Sequence, residues 1–152
     1  MKILVCTDGS EHSKKTYEKA ALIADGCNVE EVAVIHVYDE KLDLSVAPRR
    51  AGASVSEKEV EVFHKLQEDH KNQKKMILQE ALDFFQSKDI HARSIFKEGH
   101  PSSNIVKVGC DGGFDIIVIG SRGKGGLKKT FLGSVSNAVI QEAKDCSVLT
   151  VK

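Results

Sequence analysis

Four consecutive apolar residues, Ile116-Ile117-Val118-Ile119, run straight into a loop rich in glycine and lysine and then into a helix-like stretch. Nothing else in the chain constrains its fold as much. A run that is apolar at every position, without alternation, suits a parallel strand covered by helices on both faces. Such a strand needs parallel partners, and residues 2–6, 32–37 and 148–151 are short apolar or β-branched runs that supply them. Residues 94–96 with their neighbours form a weaker, more exposed candidate. Helical spacing fills the gaps over 11–25, 57–86, 101–108 and 134–143, with Val60, Phe63, Leu66, Ile77, Leu78, Leu82 and Phe85 as the apolar positions of the longest. Pro101 suits a first helical turn, where its missing N–H has no partner to lose. Five strands alternating with helices predict an α/β fold: a three-layer, doubly wound, five-stranded parallel sheet with right-handed crossovers, Rossmann-like in plan.

The 152 residues suit one domain, 1–152, and a chain of this size removes roughly 70% of its unfolded surface from water on folding. Residues 39–56 shift to Ala, Ser, Gly and Pro with Arg49-Arg50, and are expected to form a long mobile connection. The 22 basic residues balance 22 acidic ones, so whole-chain charge argues against a nucleic acid or a membrane surface as partner. No apolar run nears ~18 residues, and the opening apolar run is too short for a leader, so a cytoplasmic location is expected. Cys6, Cys27, Cys110 and Cys146 lie far apart in sequence without a C-x-x-C pair, which predicts reduced, mostly buried thiols.

The loop after the central strand is where chemistry concentrates. Strand, glycine-rich loop and helix start follow in the order a phosphate site requires: glycines let backbone N–H groups approach an anion, and a helix N-terminus adds unpaired donors and the positive end of its dipole. Ser134 adds a hydroxyl. From Ile116 through Gln141 there is no Asp or Glu, while Arg122, Lys124, Lys128 and Lys129 are cationic. One cation ~4 Å from a phosphate oxygen gains about 4 kcal/mol before desolvation at an effective dielectric constant near 20. The competing reading is a solvated loop. Neither the P-loop spacing nor the dinucleotide fingerprint is present. Six histidines show no helical pair with a carboxylate partner, so no structural metal site is expected.

The loop fits the pattern G-x2-G-x9-G-[ST] through Gly120, Gly123, Gly133 and Ser134. In this it resembles the ATP-binding subgroup of the universal stress protein family. The resemblance extends to Thr7-Asp8-Gly9-Ser10, Ile35-His36-Val37, Gly99-x-Pro101 and residues 115–123. It implies the adenine nucleotide alpha hydrolase-like sheet order 3-2-1-4-5, with Asp8 and Gly120 flanking one crevice at the switch point. It also implies Thr7 and Asp8 near the ribose and adenine, and the backbone of Val37 at the adenine edge. The phosphates would fall to Gly120, Ser121, Arg122, Gly123 and Lys124 on one side and Gly133, Ser134, Val135 and Ser136 on the other. Read from the residues alone, the competing reading of Asp8 is a turn or capping residue and that of Val37 a core residue. Leu127, Phe131 and Leu132 would either cover the triphosphate or pack on the sheet edge. The segment Asp145-Cys146-Ser147-Val148 departs from the family in lacking the prolines often found there. The final strand commonly builds a homodimer interface in this family, so a homodimer is expected.

The function implied is an ATP-binding regulatory or stress-response protein with at most slow ATP hydrolysis, because no general base is evident near the glycine loop. Mg²⁺ could arrive on the phosphates. A nucleotide-free homodimeric interaction module of the same fold is the alternative. An ATP pyrophosphatase-type enzyme would need an S-G-G-x-D-S-like loop where Thr7-Asp8-Gly9-Ser10-Glu11 stands, and a phosphate-accepting signalling domain would need clustered acids beside Asp8. A flavin would need an aromatic residue to stack on its ring, and the loop offers none suitably placed.

Overall fold

A computed structural model describes residues 1–38, 57–123 and 132–152. Their elements follow as β1 (Lys2–Cys6), α1 (Glu11–Gly26), β2 (Glu31–Tyr38), α2 (Glu57–Gln86), β3 (Ala92–Glu98), α3 (Pro101–Asp111), β4 (Ile116–Gly120), α4 (Ser134–Glu142) and β5 (Ser147–Val151). The strands form one parallel sheet in the order β3-β2-β1-β4-β5. β1 lies at its centre, pairing Leu4 with Ala33 on one side and with Ile117 on the other.

Alternation along each strand divides the core in two. Ile3, Val5, Val34 and Val118 face α1 and α2, where they pack with Tyr17, Ala20, Leu78 and Phe85. Leu4, Cys6, Ile35, Ile117 and Ile119 face the other way, toward Ile105 of α3 and Val139 of α4. Ile3, Leu4 and Val5 are wholly inaccessible, which is why a strand with no polar face stands at the centre.

β3 runs over seven residues, taking in neighbours on both sides of the expected 94–96, because pairing with β2 from Val32↔Ala92 to Tyr38↔Glu98 defines it more than its own hydrophobicity does. Its edge position leaves Arg93 and Ser94 exposed. α3 continues to Asp111, with Gly109 seated so closely on Ile117 that a Cβ there would lie 2.6 Å from its Cδ1. The expectation of mostly buried cysteines is corrected: only Cys6, inside the sheet, is buried. Cys27 is exposed just past α1, while Cys110 and Cys146 are half-buried at the ends of α3 and of the turn before β5. Residues 39–56, expected as a mobile connection, lie outside the described residues. Among those described, no helix is long and apolar enough to cross a membrane.

Candidate functional site

β1 and β4 are hydrogen-bonded neighbours, yet their chains leave the sheet toward helices on opposite faces. The crevice between their carboxyl ends is the topological switch point, where parallel α/β sheets present loops to a ligand. A cleft of roughly 370 Å³ opens there, a size typical of small-molecule sites.

After Cys6, Thr7 donates its N–H to Ile35 C=O at 3.0 Å and the chain turns away from the sheet. Its hydroxyl bonds that of Tyr17, and its C=O lies 2.8 Å from Nδ1 of the buried His36. Asp8 Oδ1 accepts the Ser10 N–H at 2.9 Å and the Ser13 hydroxyl at 2.8 Å, a turn that starts α1. Gly9 has φ 73° and sits against Ile77, so a side chain there is excluded by both conformation and space. The other oxygen of Asp8 looks across the crevice at Gly123, where an added Cβ would lie 2.8 Å from it.

On the far side, Gly133 is the N-cap of α4 and donates its N–H to Ser121 C=O at 2.8 Å. Ser121 in turn donates to Val151 C=O at 2.6 Å, tying the loop to β5. The first turn of α4, Ser134 to Ser136, carries N–H groups that the helix itself cannot satisfy, at the positive end of its dipole. Ser136 is buried, and its hydroxyl donates to Gly120 C=O at 2.6 Å. That proton is therefore engaged in holding α4 against β4, and Ser136 faces the cleft as an acceptor.

Apolar groups line the other end of the cleft: Ile35 and Val37 from β2, and Pro101 and Ile105 from α3. Ile35 bonds toward β1, and peptide groups in a strand alternate sides, so Val37 turns its N–H and C=O the same way, beyond the last β1–β2 pair. Cys6 lines the cleft as well, but burial pushes its thiol far above the usual range. It is a neutral packing group there, not a nucleophile.

Of the residues expected at the site, Thr7, Asp8, Val37, Gly120, Arg122, Gly123, Gly133, Ser134, Val135 and Ser136 all line this cleft. Ser121 is buried behind it, with both backbone groups bonded, and does not. Lys124, Lys128, Lys129, Leu127 and Phe131 lie outside the described residues. Leu132 lines the cleft and stays 37% exposed, so it is not packed away on the sheet edge. Sequence reasoning missed Ser13, Pro101 and Ile105. The signals were Asp8 preceding a helix that carries Ser13 in its first turn, and a helix starting at the carboxyl end of the strand beside Val37. Among the described residues no three His, Cys, Asp or Glu side chains converge on a metal position, and Asp8 is the only acid in the cleft.

Fold and cleft together define a doubly wound α/β protein with a cleft of small-molecule size at its switch point. The model of the universal stress protein family matches residues 1–152, and the chain belongs to that family. It is 36% identical to universal stress protein MJ0577 of Methanocaldococcus jannaschii over 99% of this chain and 94% of that protein. The solved structure of MJ0577 superposes with a TM-score of 0.70, again over 99% and 94% of the two chains. Universal stress protein YxiE of Bacillus subtilis is 31% identical over 99% and 98%. A universal stress protein from Archaeoglobus fulgidus, solved in complex with dAMP, shares the fold at a TM-score of 0.66 and 20% identity, over 100% and 98%.

Proposed function

We propose that this universal stress protein binds an adenine nucleotide, ATP above all, in the cleft between β1 and β4, and that the bound nucleotide sets its state as a regulatory protein in a cytoplasmic stress response. One observation carries the reading: the cleft is polar and N–H-rich at one end and apolar at the other. A triphosphate suits the first, an adenine ring the second.

The phosphates would lie against Gly120 to Gly123 and the first turn of α4, with Arg122 and the lysines of the loop as counter-charges. Asp8 would receive the ribose hydroxyls, and the backbone of Val37 the adenine edge. Support comes also from the A. fulgidus relative, whose ligand, dAMP, is of the same chemical class. Mg²⁺ would ride on the phosphates and water, since Asp8 alone cannot hold it. Hydrolysis would be slow at most: Asp8 already accepts two hydrogen bonds at the sugar end and has no position from which to activate a water at the γ-phosphate. A homodimer through β5 completes the reading.

The test is to identify any nucleotide released from purified protein, then titrate the emptied protein calorimetrically with ATP, ADP and AMP. Affinity should weaken as phosphates are removed. Gly133→Asp, which sets a carboxylate at the start of α4, should abolish binding. No nucleotide and no heat from folded protein would sink the proposal and leave the nucleotide-free interaction module.

A further inference from the structure

Outside the cleft, two nucleophilic side chains meet that the nucleotide reading does not use. The sulfurs of Cys110 and Cys146 lie 3.5 Å apart although 36 positions separate them in sequence. Cys110 is in the last turn of α3, and Cys146 is in the bend leading into β5. The backbone around them is well anchored. Ser147 donates its N–H to Asp115 C=O at 2.9 Å, and the Asp115 carboxylate accepts the Lys2 N–H at 2.6 Å, which ties the bend to the start of β4 and to β1. α3 is held in turn by Ile105 and by the close seat of Gly109 on Ile117. A disulfide sets its sulfurs about 2.05 Å apart, so these must close by about 1.5 Å. Cys110 is the second-last residue of α3, and Gly112 and Gly113 end the helix just beyond Asp111.

We propose that Cys110 and Cys146 form a reversible intrachain disulfide when a peroxide oxidises the protein, closing a covalent ring around the segment that carries Gly120, Gly123, Gly133 and Ser134. The Cys110 thiolate attacks one peroxide oxygen; an S–O bond forms, the O–O bond breaks, and the departing hydroxide takes a proton to become water. The Cys146 sulfur then attacks the sulfur of that sulfenic acid. An S–S bond forms, the S–O bond breaks, and the Cys146 proton leaves with the hydroxide as a second water. Two thiols are oxidised by two electrons and one peroxide is reduced to two waters. A dithiol reductant reverses the bridge by exchange.

The order of attack follows from the surroundings. Burial first, and then the hydrogen bond and charge of Cys110, push the Cys146 thiol up to about 11. A thiol that holds its proton is the poorer first nucleophile, so Cys146 is placed second and Cys110 meets the peroxide. Both cysteines stay half-buried, so the oxidant reaches them without unfolding. The bridge joins ends that the β4–β5 ladder already holds in place, so it leaves the cleft as it is and restricts the unfolded chain instead.

The experiment treats the full-length protein with hydrogen peroxide, then counts free thiols in denaturant, maps unreduced peptides and follows thermal unfolding. Two of the four thiols should disappear, with the Cys110 and Cys146 peptides joined and the chain lighter by two hydrogens. The unfolding midpoint should rise by roughly 10 °C and fall back with dithiothreitol. Cys110→Ser and Cys146→Ser should each fold, as judged by circular dichroism, and lose that rise, whereas Cys27→Ser should keep it. Four intact thiols, sulfinic acid without a bridge, a bridge between two chains, or a bridge with no change in midpoint would each overturn the proposal.

Discussion

At Gly123 a single added carbon decides whether the loop can lie against Asp8. Its Cβ would meet an Asp8 oxygen at 2.8 Å, and Asp8 has little room to retreat while Ser10 and Ser13 bond its other oxygen. Gly123→Val is expected to weaken ATP binding at least about tenfold, or ~1.4 kcal/mol, by calorimetric titration. Gly26→Ala, with nothing within 4 Å of the new carbon, is the matched control and should bind as the parent does. An unchanged affinity in folded Gly123→Val would move the nucleotide elsewhere. The glycine positions were readable in sequence because their spacing is a pattern in itself. The engagement of the Ser136 hydroxyl by Gly120 was not, since a serine in a first helical turn reads the same whether it faces ligand or backbone. A second residue-scale expectation concerns the thiols. Cys6 and Cys146 are held neutral by burial, with Cys146 raised from an ordinary value near 9 to about 11. The folded state thus prefers the protonated form: the Cys146 contribution is whole below about pH 9 and is lost as pH rises through about 11, while the Cys6 contribution begins to fall above about pH 9 and goes on falling beyond that interval. Urea midpoints measured across that interval should fall, and less so in Cys146→Ser. A flat profile would mean that neither thiol is shielded.

Among the elements, α2 divides most sharply. Near its C-terminus Phe85 is wholly inaccessible and packs edge-on against Phe84, while Val62, Leu66 and Met76 are about 60% exposed. Phe85→Ala should cost about 3–5 kcal/mol in urea unfolding. Leu66→Ala should stay within about 0.5 kcal/mol. Equal losses would mean that the first half of the helix is covered by something. Sequence periodicity found α2 with both its ends, because thirty residues of helical pattern outweigh local noise. It shortened β3 for the opposite reason: Arg93, Ser94, Lys97 and Glu98 carry little hydrophobic signal, and only the partner strand makes them β. The contribution of α3 to the cleft escaped because nothing local to Pro101 or Ile105 records that they end up opposite Gly120. That information lies in the strand order, which came from family resemblance rather than from periodicity.

For the molecule as a whole, β5 closes the described sheet on one side and leaves its outer backbone groups open to a further strand. Leu149 on β5 and Ile140 on α4 are about 40% exposed beside that edge. If β5 is where two copies meet, Leu149→Arg should convert a dimer to a monomer in analytical ultracentrifugation without altering the circular dichroism spectrum. A dimer that survives the arginine would place the interface on another face. The central position of β1 carries a further consequence, for the chain during its synthesis. β1 is made first, yet its neighbour β4 begins more than a hundred residues later, and the helix start that faces Asp8 later still. At roughly 5–20 residues per second, several seconds pass in which the ribosome holds a nascent chain with β1 unpaired along one edge. If the cleft holds a nucleotide as proposed, that ligand takes no part in guiding the early fold; it meets only a polypeptide that is nearly finished.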